Sequence, residues 1–196
     1  MSAIAVRPKP PVGPPPSEAD LRKAALAYLA RYAATEASLR RVLERRIERW
    51  LRATATASDA ADEPQAQAAE AKRAARAVIT RLAAEGLVND ATFAESKARG
   101  LFRAGRSRRA VAAHLSASGV DAATVHDVLH EHSGSELAAA LVLARRRRIG
   151  PFRIGAPDRQ AELAIMARAG FTHQITKQAL EMERTEAEVL VAKLRR

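Results

Sequence analysis

An all-α chain built of repeated helical modules is what the sequence predicts, and three observations carry that expectation. Apolar residues make up 47% of the 196 positions while aromatics are only 4%. Much of the apolar share is alanine, which favours thin, close-packed helices over a thick sandwich core. Helix stops and caps punctuate runs of 3.6-residue periodicity from Ser17 onward. The third observation is an internal repeat: residues 106–129, RSRRAVAAHLSASGVDAATVHDVL, shifted by 51 positions, lie on PDRQAELAIMARAGFTHQITKQAL. Arg108 falls on Arg159, Leu115 on Met166, Gly119 on Gly170, Val120 on Phe171 and Leu129 on Leu180. Two copies of one helix-turn-helix unit imply modules that bury their apolar faces against neighbours.

Residues 1–16 hold most of the nine prolines and read as a disordered tail that samples polyproline II. Ser17-x-x-Asp20 has the form of a capping box for a first helix, with Leu21, Ala25, Tyr28, Leu29 and Tyr32 on one face. Thr35 caps a second helix whose apolar stripe is Leu39, Val42, Leu43, Ile47, Trp50 and Leu51. Arg40, Arg41, Arg45, Arg49 and Arg52 point elsewhere, either as a solvated face balanced by Glu44 and Glu48 or as a binding face. Residues 53–69 change to Ala, Thr, Asp, Glu and Gln around Pro64, a low-complexity insertion expected to be mobile or to extend the flanking helices. A third helix carrying Ala75, Val78, Ile79 and Leu82 stops at Gly86, closing a first module over 17–88.

A second module is expected over 89–132. An Asn89 or Asp90 cap opens a fourth helix that turns Phe93, Ala94, Ala98, Leu101 and Phe102 inward. Its outer side and the next turn carry Lys97, Arg99, Arg103, Arg106, Arg108 and Arg109, with no acid between Ser96 and Arg109. Solubility alone does not require excluding every carboxylate, so this run is the sharpest candidate for binding a polyanion. Ser107 to Ser118 reads as a helix ended by Gly119, and Asp121 caps the next, with Val125, Val128 and Leu129 inside. His126 and His130 stand at i,i+4, a spacing that a metal can use, but neither thiols nor an HExxH pattern accompanies them, so an exposed helix face is the expectation.

Residues 133–184 form the third module. Ser133-x-x-Glu136 looks like another capping box, Leu137, Leu141 and Ala144 make an inner stripe, and Arg145, Arg146, Arg147 and Arg148 wrap the helix end. Pro157 suits the first turn of the next helix, and Gly170 with Thr172 repeats the stop and restart. Residues 185–196, with Val189, Leu190 and Leu194 in helical period, read as a further helix or a frayed end.

A formal charge of +11 draws the chain to polyanions. No cysteine is present, so thiol chemistry and disulfides are excluded. Neither a secretory leader nor an 18-residue apolar run appears, and the expectation is a cytoplasmic protein off the membrane. No phosphate loop, nucleophile elbow or scaffolded acid pair is recognisable, so neither a cofactor nor an enzymatic role is expected.

The pieces resemble the RecX family of recombinase regulators: Ala25-Leu26-x-Tyr28-Leu29-Ala30-Arg31, then Leu82-x-x-x-Gly86-Leu87-Val88-Asn89-Asp90-x-x-Phe93-Ala94, then a basic helix ending Leu115-x-x-x-Gly119-Val120, and finally Arg168-Ala169-Gly170-Phe171. The resemblance spans nearly everything from Leu21 to Met182. It departs at the proline-rich leader, the insertion after Trp50, and the stretch from Tyr32 to Ser38, which lacks the family's Arg-Ser pair. What it implies is three tandem three-helix units, about nine helices, in an elongated curved body without catalytic residues. It further implies a monomer that lodges in the RecA filament on single-stranded DNA and suppresses ATP hydrolysis and strand exchange. Candidate contacts for DNA or filament are Arg40, Arg41, Arg45, Lys97, Arg99, Arg103, Arg106, Arg108, Arg109, Arg145, Arg146, Arg147 and Arg148. The competing reading is a helix-turn-helix binder of double-stranded DNA, for which residues 121–129 offer few base-reading side chains.

Overall fold

The computed structural model describes residues 13–55 and 62–195, and every regular element among them is helical. The proline-rich residues 1–12 and the centre of the insertion, 56–61, lie outside the described residues. The described chain divides after Asn89 into two compact units.

The first unit packs three helices, α1 (Glu18–Leu29), α2 (Glu36–Ala55) and α3 (Asp62–Ala84). Ser17 and Asp20 close the expected capping box on α1. Thr35 and Ser38 form its counterpart on α2, where the Thr35 hydroxyl accepts from the Ser38 N–H at 3.0 Å and the Ser38 hydroxyl from the Thr35 N–H at 2.9 Å. Leu21, Ala25, Leu39, Leu43, Ile47, Ala75, Val78 and Leu82 fill the core. The insertion is partly helix: 53–55 finish α2, and 62–69 open α3 and bury Ala68. Tyr32 departs from its expected inward position; α1 ends at Leu29, and Tyr32 sits in the following turn, 57% exposed. Glu44 and Glu48, expected to balance the arginines of α2, close no ion pair among the described residues.

In the second unit, α4 (Asp90–Arg103), α5 (Arg108–Ser118), α6 (Ala122–Glu131), α7 (Ser135–Arg147), α8 (Arg159–Arg168), α9 (His173–Glu181) and α10 (Arg184–Arg195) share one hydrophobic core. The 51-residue repeat is a structural one. Gly119 and Gly170 both take the left-handed conformation, at φ 91° and 85°, and the N–H groups of Val120 and Phe171 return to the carbonyls of Leu115 and Met166 at 3.2 Å. Asp121 and Thr172 then cap α6 and α9. Core positions match in burial but not always in chemistry: buried Glu162 and Thr176 stand where the first copy has Val111 and Val125.

The hub is α7, which buries Glu136, Ala138, Ala139, Ala140, Leu141, Leu143 and Ala144 against α4, α9 and α10. Alanine on so many sides lets neighbouring helices approach closely, the reverse of the one-stripe pattern expected from Leu137, Leu141 and Ala144. Ser133 is not its cap. Gly134 occupies that position and has no side chain to cap with, while the Glu136 carboxylate accepts from Arg108. Asp158, not Pro157, opens α8, its carboxylate accepting from the Ala161 N–H at 2.9 Å. The end of the chain is a tenth helix seated by Ala187 and Val191, with Val189 outward.

Candidate nucleic-acid interface

The acid-free run is shaped by two turns. After α4, Gly105 at φ 77° presses its backbone on α7: a β-carbon there would lie 3.1 Å from the Leu143 nitrogen and 3.2 Å from the Ala139 oxygen. Only glycine fits that approach. The turn brings the end of α4 beside the end of α7, and Arg146 Nη1 reaches to 3.5 Å from the Ala104 carbonyl. Ser107 then caps α5, accepting from the Ala110 N–H at 3.3 Å while its hydroxyl donates to the Ala169 carbonyl at 2.8 Å. This second bond ties the basic turn to the end of α8.

Within the run the arginines separate into two kinds. Arg108 is half-buried and structural: its N–H donates to Glu136 at 3.1 Å and its Nη1 to the Leu129 carbonyl at 2.7 Å. Arg99 is held by Glu95 at 2.6 Å, which also meets His132 at 3.1 Å. Burial pushes the Glu95 carboxyl up, but bonds from Arg99 and His132 outweigh it and leave it below the ordinary range. Lys97, Arg103, Arg106 and Arg109 are exposed, and among the described residues none of them has a carboxylate within ion-pair distance.

His114 lies beside this group. Its imidazole is pushed below the usual range first by partial burial and then by the charges of Lys97 and Arg106. A cation beside uncompensated cations loses its proton more readily, so the face is electropositive where a polyanion would meet it.

The remaining candidates are less concentrated. Arg145 is half-buried and Arg146, Arg147 and Arg148 are exposed at the end of α7, where Arg148 takes the left-handed conformation at φ 56°. Arg40, Arg41 and Arg45 are exposed on α2 in the first unit. The α6 histidines stack on each other, ring centroids 6.5 Å apart, and no group of three or more His, Cys, Asp or Glu among the described residues is placed to hold a metal ion. No helix among the described residues is long and apolar enough to cross a membrane. The sequence reading missed Glu136 as the anchor of α5, because its partner is 28 residues away and no local pattern marks it.

Fold and face together define a class, all-helical repeat proteins that present cationic side chains from their helix ends. Comparison narrows it. Residues 89–129 match the family model described as RecX, second three-helix domain. "Regulatory protein RecX" of Myxococcus xanthus (strain DK1622) is 37% identical over 167 residues, covering 82% of this chain and 84% of that one. Its namesake from Agrobacterium fabrum (strain C58 / ATCC 33970) is 33% identical over 108 residues, 54% of this chain and 58% of that one. The crystal structure of RecX from Lactobacillus salivarius shares the fold, with a TM-score of 0.55 at 18% identity over 88% of this chain and 97% of that one. The chain belongs to the RecX family of regulatory proteins.

Proposed function

We propose that this protein regulates recombination and DNA repair in the cytoplasm by binding the RecA filament on single-stranded DNA and restraining its ATP hydrolysis and strand exchange. It acts by occupancy, as a monomer, with no chemistry of its own. The observation that carries the reading is the exposed, acid-free group Lys97, Arg103, Arg106 and Arg109, none of which has a carboxylate within ion-pair distance among the described residues. Such a face pairs with phosphates or with acidic protein surface and positions the molecule without reading sequence. Arg145 to Arg148 extend the cationic supply from the end of α7, while Arg40, Arg41 and Arg45 add it from the first unit.

The helix-turn-helix alternative is weaker. The surface of α6 offers His126, Asp127, His130 and Glu131, without the arginine, asparagine or glutamine that reads base edges. The deciding experiment is the DNA-dependent ATPase of the cognate recombinase, titrated with this protein. Inhibition well below stoichiometric amounts is the expected result. No effect, with tight binding to one duplex sequence, would overturn it in favour of the alternative.

A further inference from the structure

The first unit holds a cleft of about 360 Å³ lined by Tyr28, Val42, Arg45, Arg49 and Arg52, of which the reading above uses Arg45 alone. Val42, Arg45, Arg49 and Arg52 fall at i, i+3, i+7 and i+10, one stripe of α2 running beside the buried stripe of Leu39, Leu43 and Ile47. The arginines therefore emerge along the edge where α2 leaves the core, and Tyr28 of α1 forms the opposite wall. Arg49 Nε donates to the Arg45 carbonyl at 3.4 Å, which lays that side chain along the helix. Among the described residues neither Arg45 nor Arg49 has a carboxylate within ion-pair distance.

The aromatic wall is the second, independent feature. Tyr28 and Tyr32 stand with ring centroids 5.1 Å apart at 42°, and Tyr32 is an exposed large side chain that no core claims. We propose that this cleft, together with the Tyr32 ring that lies beside its Tyr28 wall, is a single-stranded nucleic-acid subsite, in which Arg45 and Arg49 take backbone phosphates and Tyr32, at the margin of the cleft, stacks an unpaired base. A cationic track beside an open π-face matches a single strand, which offers a phosphate at each nucleotide and bases with uncovered faces. A duplex hides those faces, and an acidic peptide supplies charge without a planar ring. The proposal rests on the reading above only in taking DNA as a partner.

The full chain is titrated, without recombinase, against a labelled oligothymidylate and an abasic oligomer of equal length. The expected result is tighter binding to the thymidylate, an advantage that Tyr32→Ala reduces by roughly 5- to 150-fold and Tyr32→Phe preserves. Abasic binding stays unchanged in both variants. Replacing Arg45 and Arg49 with Ala weakens both oligomers and flattens the salt slope by about 1.4. Equal wild-type affinity for the two oligomers overturns the subsite, as does an unaltered Tyr32→Ala variant or an unaltered salt slope. Loss of recombinase inhibition on mutating Arg103, Arg106 and Arg109, with this cleft silent, would sink the subsite and leave the regulatory reading standing. The converse pattern would separate them the other way.

Discussion

Glu136 of α7, only 9% exposed, accepts the backbone N–H of Arg108 at 3.1 Å, placing a carboxylate at the first turn of α5. The bond satisfies a donor that no intrahelical carbonyl reaches and sets a negative charge against the positive end of the helix dipole. The same Arg108 closes the opposite side by donating to Leu129. Glu136→Ala is therefore expected to destabilise the protein by about 1–3 kcal/mol, since it orphans a part-buried N–H. Denaturant midpoints measure this. A change below about 0.5 kcal/mol would mean that water replaces the carboxylate.

Gly170 shows how tightly the repeat turn is built. At φ 85° an alanine carries the left-handed penalty of about 1–2 kcal/mol, and its β-carbon would also lie 2.9 Å from the Ser107 hydroxyl. Gly155 has a similar φ of 93° with open space around it. Gly170→Ala is expected to cost about 1 kcal/mol more than Gly155→Ala, the worth of a disturbed cap. Equal losses in thermal unfolding would show that Ser107 yields without cost.

Much of this was legible from the chain because it is local. Gly119, Gly170, Ser17, Thr35, Asp121 and Thr172 hold the stops and caps expected of them, since a left-handed turn or an N-cap depends on residues within three or four positions. What was not legible is non-local. Ser133-x-x-Glu136 has the spacing of a capping box, yet Glu136 serves another helix. Arg108 is indistinguishable in sequence from Arg106 and Arg109, and only the carbonyl of Leu129 turns it inward. Tyr32 keeps the period of α1 but follows its end, so periodicity counted as core a ring that faces out.

Arg148 is the one non-glycine residue at positive φ among the described residues, in a cap position of the kind that Gly119 and Gly170 fill. Left-handed backbone costs a side-chain-bearing residue about 1–2 kcal/mol, a strain that clusters at functional positions. Arg148→Gly is expected to raise stability by about 1 kcal/mol while lowering affinity for DNA. Stability gained with affinity and salt slope unaltered would assign Arg148 no binding role.

Glu162 gives the stability a pH dependence. It is 4% exposed, meets Arg153 twice at 2.7 Å and accepts the Gly150 N–H at 3.2 Å, and these bonds, Arg153 first, hold its carboxyl below the ordinary range. A depressed folded-state value contributes stability that is present above the unfolded carboxyl range, near pH 4.3, and is lost as pH falls through the folded value. Glu162→Gln should lower stability by about 1–3 kcal/mol at pH 7 and converge on the wild type in strong acid. A gap independent of pH would show that shape, not charge, is what Gln fails to supply.

The basic run itself is best tested by dividing it. Arg103, Arg106 and Arg109 are exposed, so their joint replacement by Ala should leave stability within about 0.5 kcal/mol per site. If each meets one phosphate of a single strand, the salt dependence of binding should flatten by about 2. Arg108→Ala should do the reverse, unfolding more readily because the Leu129 carbonyl loses its donor, while the salt slope stays near the wild-type value. The contrast separates charge offered outward from charge spent on the fold, because the four side chains are chemically identical and lie within seven positions of one another. A salt slope that falls with Arg108→Ala and not with the triple variant would reverse the assignment of the face.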